Sequence, residues 1–227
     1  MSTSIILYGS RARGETRDDS DVDILAAEET GFPGSPKEVN GVSLHRYPQA
    51  WLINEAQNGS LFAYHVAFEG ISLLDHNNFL LKLKKAICLK GSYEDEKLIA
   101  AKIIKLLTNR DWNLRDELKR RYFWALRTII ISSSAEIGNP IFSSKGLESF
   151  SEINGLRNHI NNRYNENFNS CKYYGNLVLE KFIRNNINDD ESYLRDELIN
   201  AEGIGKNTIQ LIETTEAIEV GGLVFYQ

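Results

Sequence analysis

Cysteine, proline and methionine are scarce in this 227-residue chain, at two, four and one residues. Two cysteines, Cys88 and Cys171, exclude a disulfide framework and a cysteine-built metal site. So few prolines argue against a long disordered linker. No apolar run approaches the ~18 residues of a membrane span, so direct membrane insertion is not expected. The start, Met-Ser-Thr-Ser-Ile-Ile-Leu-Tyr, lacks the basic stretch and small-residue cleavage site of a signal peptide. The expected setting is the cytoplasm.

What is present fits a folded α/β chain. Hydrophobic residues make up 42% and charged residues 25%, enough for one large domain or two small ones. The net charge of −5, taken alone, speaks against a nucleic-acid binder. Its distribution says otherwise. Residues 1–80 carry 5 Lys and Arg against 11 Asp and Glu, residues 81–130 carry 13 against 6, and residues 131–227 carry 8 against 14. The middle block is a basic island, and a polyanion is expected to bind along it with an affinity that falls as salt rises.

Periodicity divides the chain into a head over 1–90 and a helical part over 91–227. Ile5–Tyr8, 22–26, 42–47 and 71–74 read as strands, and the Gly- and Pro-rich segment 31–36 as a loop. A helix is predicted over 54–68, broken at Gly59-Ser60. From Asn77 a helical period dominates, with helices expected over 98–107, 114–137, 146–162, 173–187, 191–201 and 206–218. The predicted fold class is α/β in the α+β sense: a small mixed sheet followed by an all-helical domain.

Chemistry concentrates in Gly9-Ser10-Arg11-Ala12-Arg13-Gly14 and Ser20-Asp21-Val22-Asp23-Ile24. A strand that ends in Gly-Ser and turns into a helix offers backbone N–H groups and a hydroxyl to a phosphate. The next strand carries Asp21 and Asp23 at i and i+2, on one sheet face. Two carboxylates so placed can share divalent cations, which prefer oxygen ligands, and a metal pair can clamp a phosphoryl group in transfer.

Residues 7–25 resemble the signature of the DNA polymerase β-like nucleotidyltransferase superfamily, most of all its minimal prokaryotic branch of antitoxin-type and kanamycin-type enzymes. The resemblance implies that Gly9 and Ser10 hold the β and γ phosphates of an NTP or dNTP. It implies that Asp21 and Asp23 bind Mg²⁺, or Mn²⁺, in a two-metal site, with Arg11 reaching a phosphate or the acceptor. It implies transfer of a nucleoside monophosphate to a hydroxyl of a nucleic acid, oligonucleotide, protein or small molecule, in a toxin–antitoxin or antiphage setting. A partner toxin or effector and a homo-oligomer belong to the same expectation. Related folds carry a helix before the first strand. None precedes Ile5, so another segment or a second subunit is expected to cover that surface.

The pattern departs at the third carboxylate. On Val42-Ser43-Leu44-His45-Arg46-Tyr47, Val42 and Leu44 are expected to face the helices and Ser43, His45 and Tyr47 the cleft, where no acid stands. His45 can serve as the base instead, or be an ordinary strand residue. Glu69, one helical turn after His65, is a second candidate for the missing acid, against a local helix pair. In the helical part, the resemblance gives Arg127 and Lys119 as phosphate contacts and Tyr122 or Trp124 as stacking groups, against a solvated charge face over an aromatic core stripe. Arg157-Asn158-His159 is too short for a helical-ribonuclease motif, and no nuclease activity is assigned. The rival to an enzyme is a catalytically weak or inactive antitoxin or binding module that keeps the fold.

Overall fold

An alternating strand, Thr3–Tyr8 (β1), opens the chain with Ser4, Ile6 and Tyr8 buried and the residues between them half-exposed. The computed structural model describes residues 3–16, 21–34, 37–109, 115–201 and 203–224, the last eight by backbone alone. After β1 come a short helix Gly9–Ala12 (α1), the strands Val22–Glu28 (β2), Lys37–Val39 (β3) and Val42–Pro48 (β4), and the helices Gln49–Gln57 (α2) and Leu61–Glu69 (α3). Strand Ile71–Leu74 (β5) and helix Phe79–Ala86 (α4) follow. The strands form one mixed sheet in the order β3-β4-β2-β1-β5, with β2 and β4 parallel and the other pairs antiparallel.

The register determines which face is dry. Ile6 pairs with Leu25, and Leu25 with His45, so these residues share one face. That face packs Ile6, Leu25 and Ala27 against Leu52 and Ala56 of α2, Ala63, Val66 and Ala67 of α3, and Phe79 and Leu83 of α4. Tyr47 pairs with Ala27 and packs on the same core. The expectation that Val42 and Leu44 face the helices is therefore overturned, while Ser43, His45 and Tyr47 share the face of Asp23. Ser43, His45 and Tyr47 share the helix-covered face, while Val42 and Leu44 lie on the other. A strand with apolar residues at both parities can be placed either way, and only its partner decides.

The break expected at Gly59-Ser60 is present: α2 ends at Gln57, and α3 starts after Ser60, whose side chain accepts from Ala63 N–H. Only the start differs, since α2 begins directly after Pro48. The predicted loop 31–36 is followed by β3, which forms a hairpin with β4 through Asn40-Gly41, both at positive φ (51° and 73°).

The chain divides into two compact units. The first holds Met1–Ser92 and Ala135–Ser143, the second Tyr93–Ser134 and Ser144–Gln227. The second contains helices Glu94–Thr108 (α5), most of Asp116–Glu136 (α6), Ser144–Ser151 (α7), Leu156–Asn161 (α8), Phe168–Phe182 (α9), Glu191–Asn200 (α10) and Gly203–Val224 (α11). The helix predicted over 146–162 is split into α7 and α8, where Glu152 and Gly155 both take positive φ.

The core of the second unit contains the predicted stacking residue Tyr122. It is fully buried, and its hydroxyl donates to the Cys171 carbonyl at 2.6 Å, so it is not a stacking platform for a ligand. His159 is buried beside it and stacks on Tyr174. Tyr122→Phe leaves the Cys171 carbonyl without this donor and is expected to cost ~1–2 kcal/mol of stability in urea unfolding.

At least four of the thirteen basic residues of the island have partners within the second unit. Lys97 pairs with Glu94, Lys102 with Glu197 at 2.7 Å and Lys105 with Asp189 at 2.8 Å, while Lys119 donates to the Tyr164 carbonyl. These four thus meet acids and a carbonyl of their own chain.

Candidate active site

The turn after β1 is shaped by Gly9. It takes φ +78°, and a Cβ built on it would collide with the Asp23 carboxylate. Glycine therefore meets two needs here, a left-handed backbone and the close approach of the loop to Asp23. The first N–H groups of α1 have no acceptor in their own helix, and Ser10 is half-buried beside them. Arg11 Nε donates to the Asp21 carbonyl at 3.2 Å, which ties the loop to the start of β2.

Asp23 sits in a row that crosses the sheet. Tyr8 pairs with Asp23, Asp23 with Ser43, and Ser43 with Glu38 of β3. Side chains directly opposite one another share a face, so the row runs from the end of β1, where the Gly-Ser turn begins, through Asp23 to the Ser43 hydroxyl and Glu38. Asp21, two residues before Asp23, lies toward the open end of the same face.

Ser43 Oγ and His45 Nε2 are 3.1 Å apart. His45 lies edge-on to Tyr8 at 5.8 Å between ring centres and is also close to Tyr47 and Phe62. Burial holds its imidazole below the ordinary pKa, so it is neutral near pH 7. Burial, then the charge of Asp23, raises the Tyr8 phenol far above its usual range and keeps it protonated.

Glu69 is engaged elsewhere. Its Oε2 accepts from Arg13 Nη1 at 2.6 Å and lies 2.9 Å from His65 Nε2. Arg13 also pairs with Glu15 at 2.9 Å, and His65 stacks on Phe142 at 4.5 Å. This cluster fastens the end of the Gly9–Gly14 turn to α3. Burial alone would raise the Glu69 carboxyl, but the His65 hydrogen bond and Arg13 outweigh it and hold it below 4.5. A carboxyl depressed on folding adds stability above its unfolded pKa and loses it as pH falls through the folded one. Glu69→Gln is therefore expected to cost ~1–2 kcal/mol at pH 7, a cost that shrinks below about pH 4.5. Thermal unfolding of both proteins across pH 3–7 measures it.

Of the residues singled out in the sequence, Gly9, Ser10, Arg11, Asp21, Asp23 and His45 come from adjoining elements of the first unit. Glu69 lies in the Arg13–His65 cluster, and Arg127 lies on α6 in the second unit. Sequence reasoning missed Glu38, which stands in the Asp23 row on the unpredicted strand β3. Among the described residues, no group of three or more His, Cys, Asp or Glu is placed to hold a metal. Two carboxylates still fit Mg²⁺, which takes few protein ligands and completes its shell with water and nucleotide phosphates.

No curated protein matches the chain. Among solved structures, it is similar to a nucleotidyltransferase-like protein from Exiguobacterium sibiricum 255-15, at 17% identity over 91% of this chain and 72% of that one, with a TM-score of 0.27. Residues 2–67 match the model of the nucleotidyltransferase domain family, a span that runs from β1 into α3 and holds every residue of the Asp23 row. Over this N-terminal stretch the chain is similar to a nucleotidyltransferase domain.

Proposed function

We propose that the chain transfers a nucleoside monophosphate from an NTP or dNTP to an acceptor hydroxyl and releases pyrophosphate. The observation that carries this reading is the seating of the Gly9 turn against the Asp23 carboxylate, which brings phosphate donors and a metal-binding acid together. In the proposed site Gly9 and Ser10 bind the β and γ phosphates and Arg11 steadies the loop. Asp21 and Asp23 hold Mg²⁺ or Mn²⁺, which when bound neutralises phosphate charge. His45, whose Nε2 lies 3.1 Å from Ser43 Oγ, takes the proton of the attacking hydroxyl, the task an acid performs elsewhere in the superfamily.

A second reading is favoured by Ser43, which stands opposite Asp23 where a third carboxylate would complete a two-metal set. In that reading the domain binds a nucleotide or a partner toxin with little turnover. Incubation with Mg²⁺ or Mn²⁺ and each α-labelled NTP and dNTP separates the two. The transferase reading expects cation-dependent pyrophosphate release and a labelled product. Nucleotide binding with neither outcome supports the binding module.

A further inference from the structure

We propose that Ser43 is itself an acceptor, so that the chain nucleotidylates its own strand β4. The inference rests on the transferase reading above and adds an acceptor to it. Three observations carry it. First, Ser43 Oγ lies 3.1 Å from His45 Nε2, within reach for the hydroxyl to pass its proton to the imidazole when Nε2 is unprotonated. Second, Ser43 is partly exposed and lies directly across from Asp23 on the same face, one strand spacing of about 4.8 Å away. Third, the row has a direction. The phosphate turn leaves β1 on one side of Asp23, and Ser43 stands on β4 on the other. Phosphoryl transfer needs the attacking and leaving oxygens roughly in line across the reacting phosphorus. A nucleotide whose β and γ phosphates rest on Gly9 and Ser10 presents its α-phosphorus near Asp23. The pyrophosphate then leaves toward β1, and Ser43 attacks from β4.

The step is a displacement at the α-phosphorus of the bound nucleoside triphosphate. The Ser43 Oγ–phosphorus bond forms, and the bond from the α-phosphorus to the oxygen bridging to the β phosphate breaks. Its electron pair leaves with pyrophosphate, and the Ser43 proton moves to His45 Nε2. The product is a phosphodiester between Ser43 and the nucleoside.

The full chain is incubated with Mg²⁺ or Mn²⁺ and α-labelled nucleoside triphosphates, then read by intact mass and peptide mapping. The expected result is one added nucleoside monophosphate per chain, located on Ser43, at a rate per chain that does not change on dilution. Ser43→Ala is expected to lose the adduct, and Ser43→Thr, which keeps the hydroxyl, to retain it at a lower rate. Thermal unfolding of both variants shows whether they fold. Pyrophosphate release with an unmodified chain, an adduct on another residue, or labelling that speeds up with protein concentration would overturn self-modification at Ser43 and leave the transferase reading standing. If neither pyrophosphate nor any labelled product forms, the transferase reading fails and takes this proposal with it.

Discussion

Asp23→Asn is expected to abolish nucleotide transfer while the chain stays folded. Asparagine keeps the size of the side chain and loses its charge. Removing one electrostatic contact from a transition state costs about 10²–10³ in rate. In the proposed reading the same change also removes one of the two carboxylates that would hold Mg²⁺, so the drop in pyrophosphate release is expected to reach roughly 10³-fold or more. Folding is spared because Asp23 lies at the open end of the sheet face, beyond the Ile6–Leu25–Ala27 core. The midpoint of urea unfolding is expected to change little. Asp21→Asn follows the same argument. Wild-type pyrophosphate release from either variant would sink the assignment of the Asp pair to the reaction.

Both halves of the site that depend on local geometry were legible in the sequence. A strand, a Gly-Ser turn and an Asp-x-Asp strand lie within 25 residues, and each is set by neighbours along the chain. What reaches across strands was not. The face of β4 followed from its pairing with β2, since Leu25 and Ala27 are core residues opposite His45 and Tyr47. Glu38 was hidden because β3 has three residues, all exposed, and no alternation to read. Its signal was the turn, not the strand: Val39-Asn40-Gly41-Val42 is an Asn-Gly hairpin between two β-branched residues. The partners of the basic island's lysines were hidden for the same reason. Lys102 and Glu197 are 95 residues apart in sequence, and only the packing of α5 with α10 brings them into an ion pair.

Gly9→Ala tests the geometry of the loop separately from its charge. It leaves the Asp pair and its charges in the chain. Yet alanine at φ +78° occupies a left-handed conformation that costs ~1–2 kcal/mol. Its methyl group would also collide with the Asp23 carboxylate, so either the turn or Asp23 must move. The combined destabilisation is expected at ~1–3 kcal/mol in urea unfolding. The catalytic loss is expected to be larger than that figure implies, because displacement of a reacting group by about 1 Å can cost 10²-fold. The signature is a chain that folds and still carries Asp21 and Asp23, but binds nucleoside triphosphate weakly and releases pyrophosphate at least about 100-fold more slowly. Gly14→Ala is the matched control. Its φ of +69° brings similar backbone strain, but no atom lies within 4 Å of the added methyl. It is expected to lose comparable stability and keep most of its activity. Equal catalytic losses in the two variants would show that backbone strain alone, not the contact between the phosphate turn and Asp23, accounts for the effect.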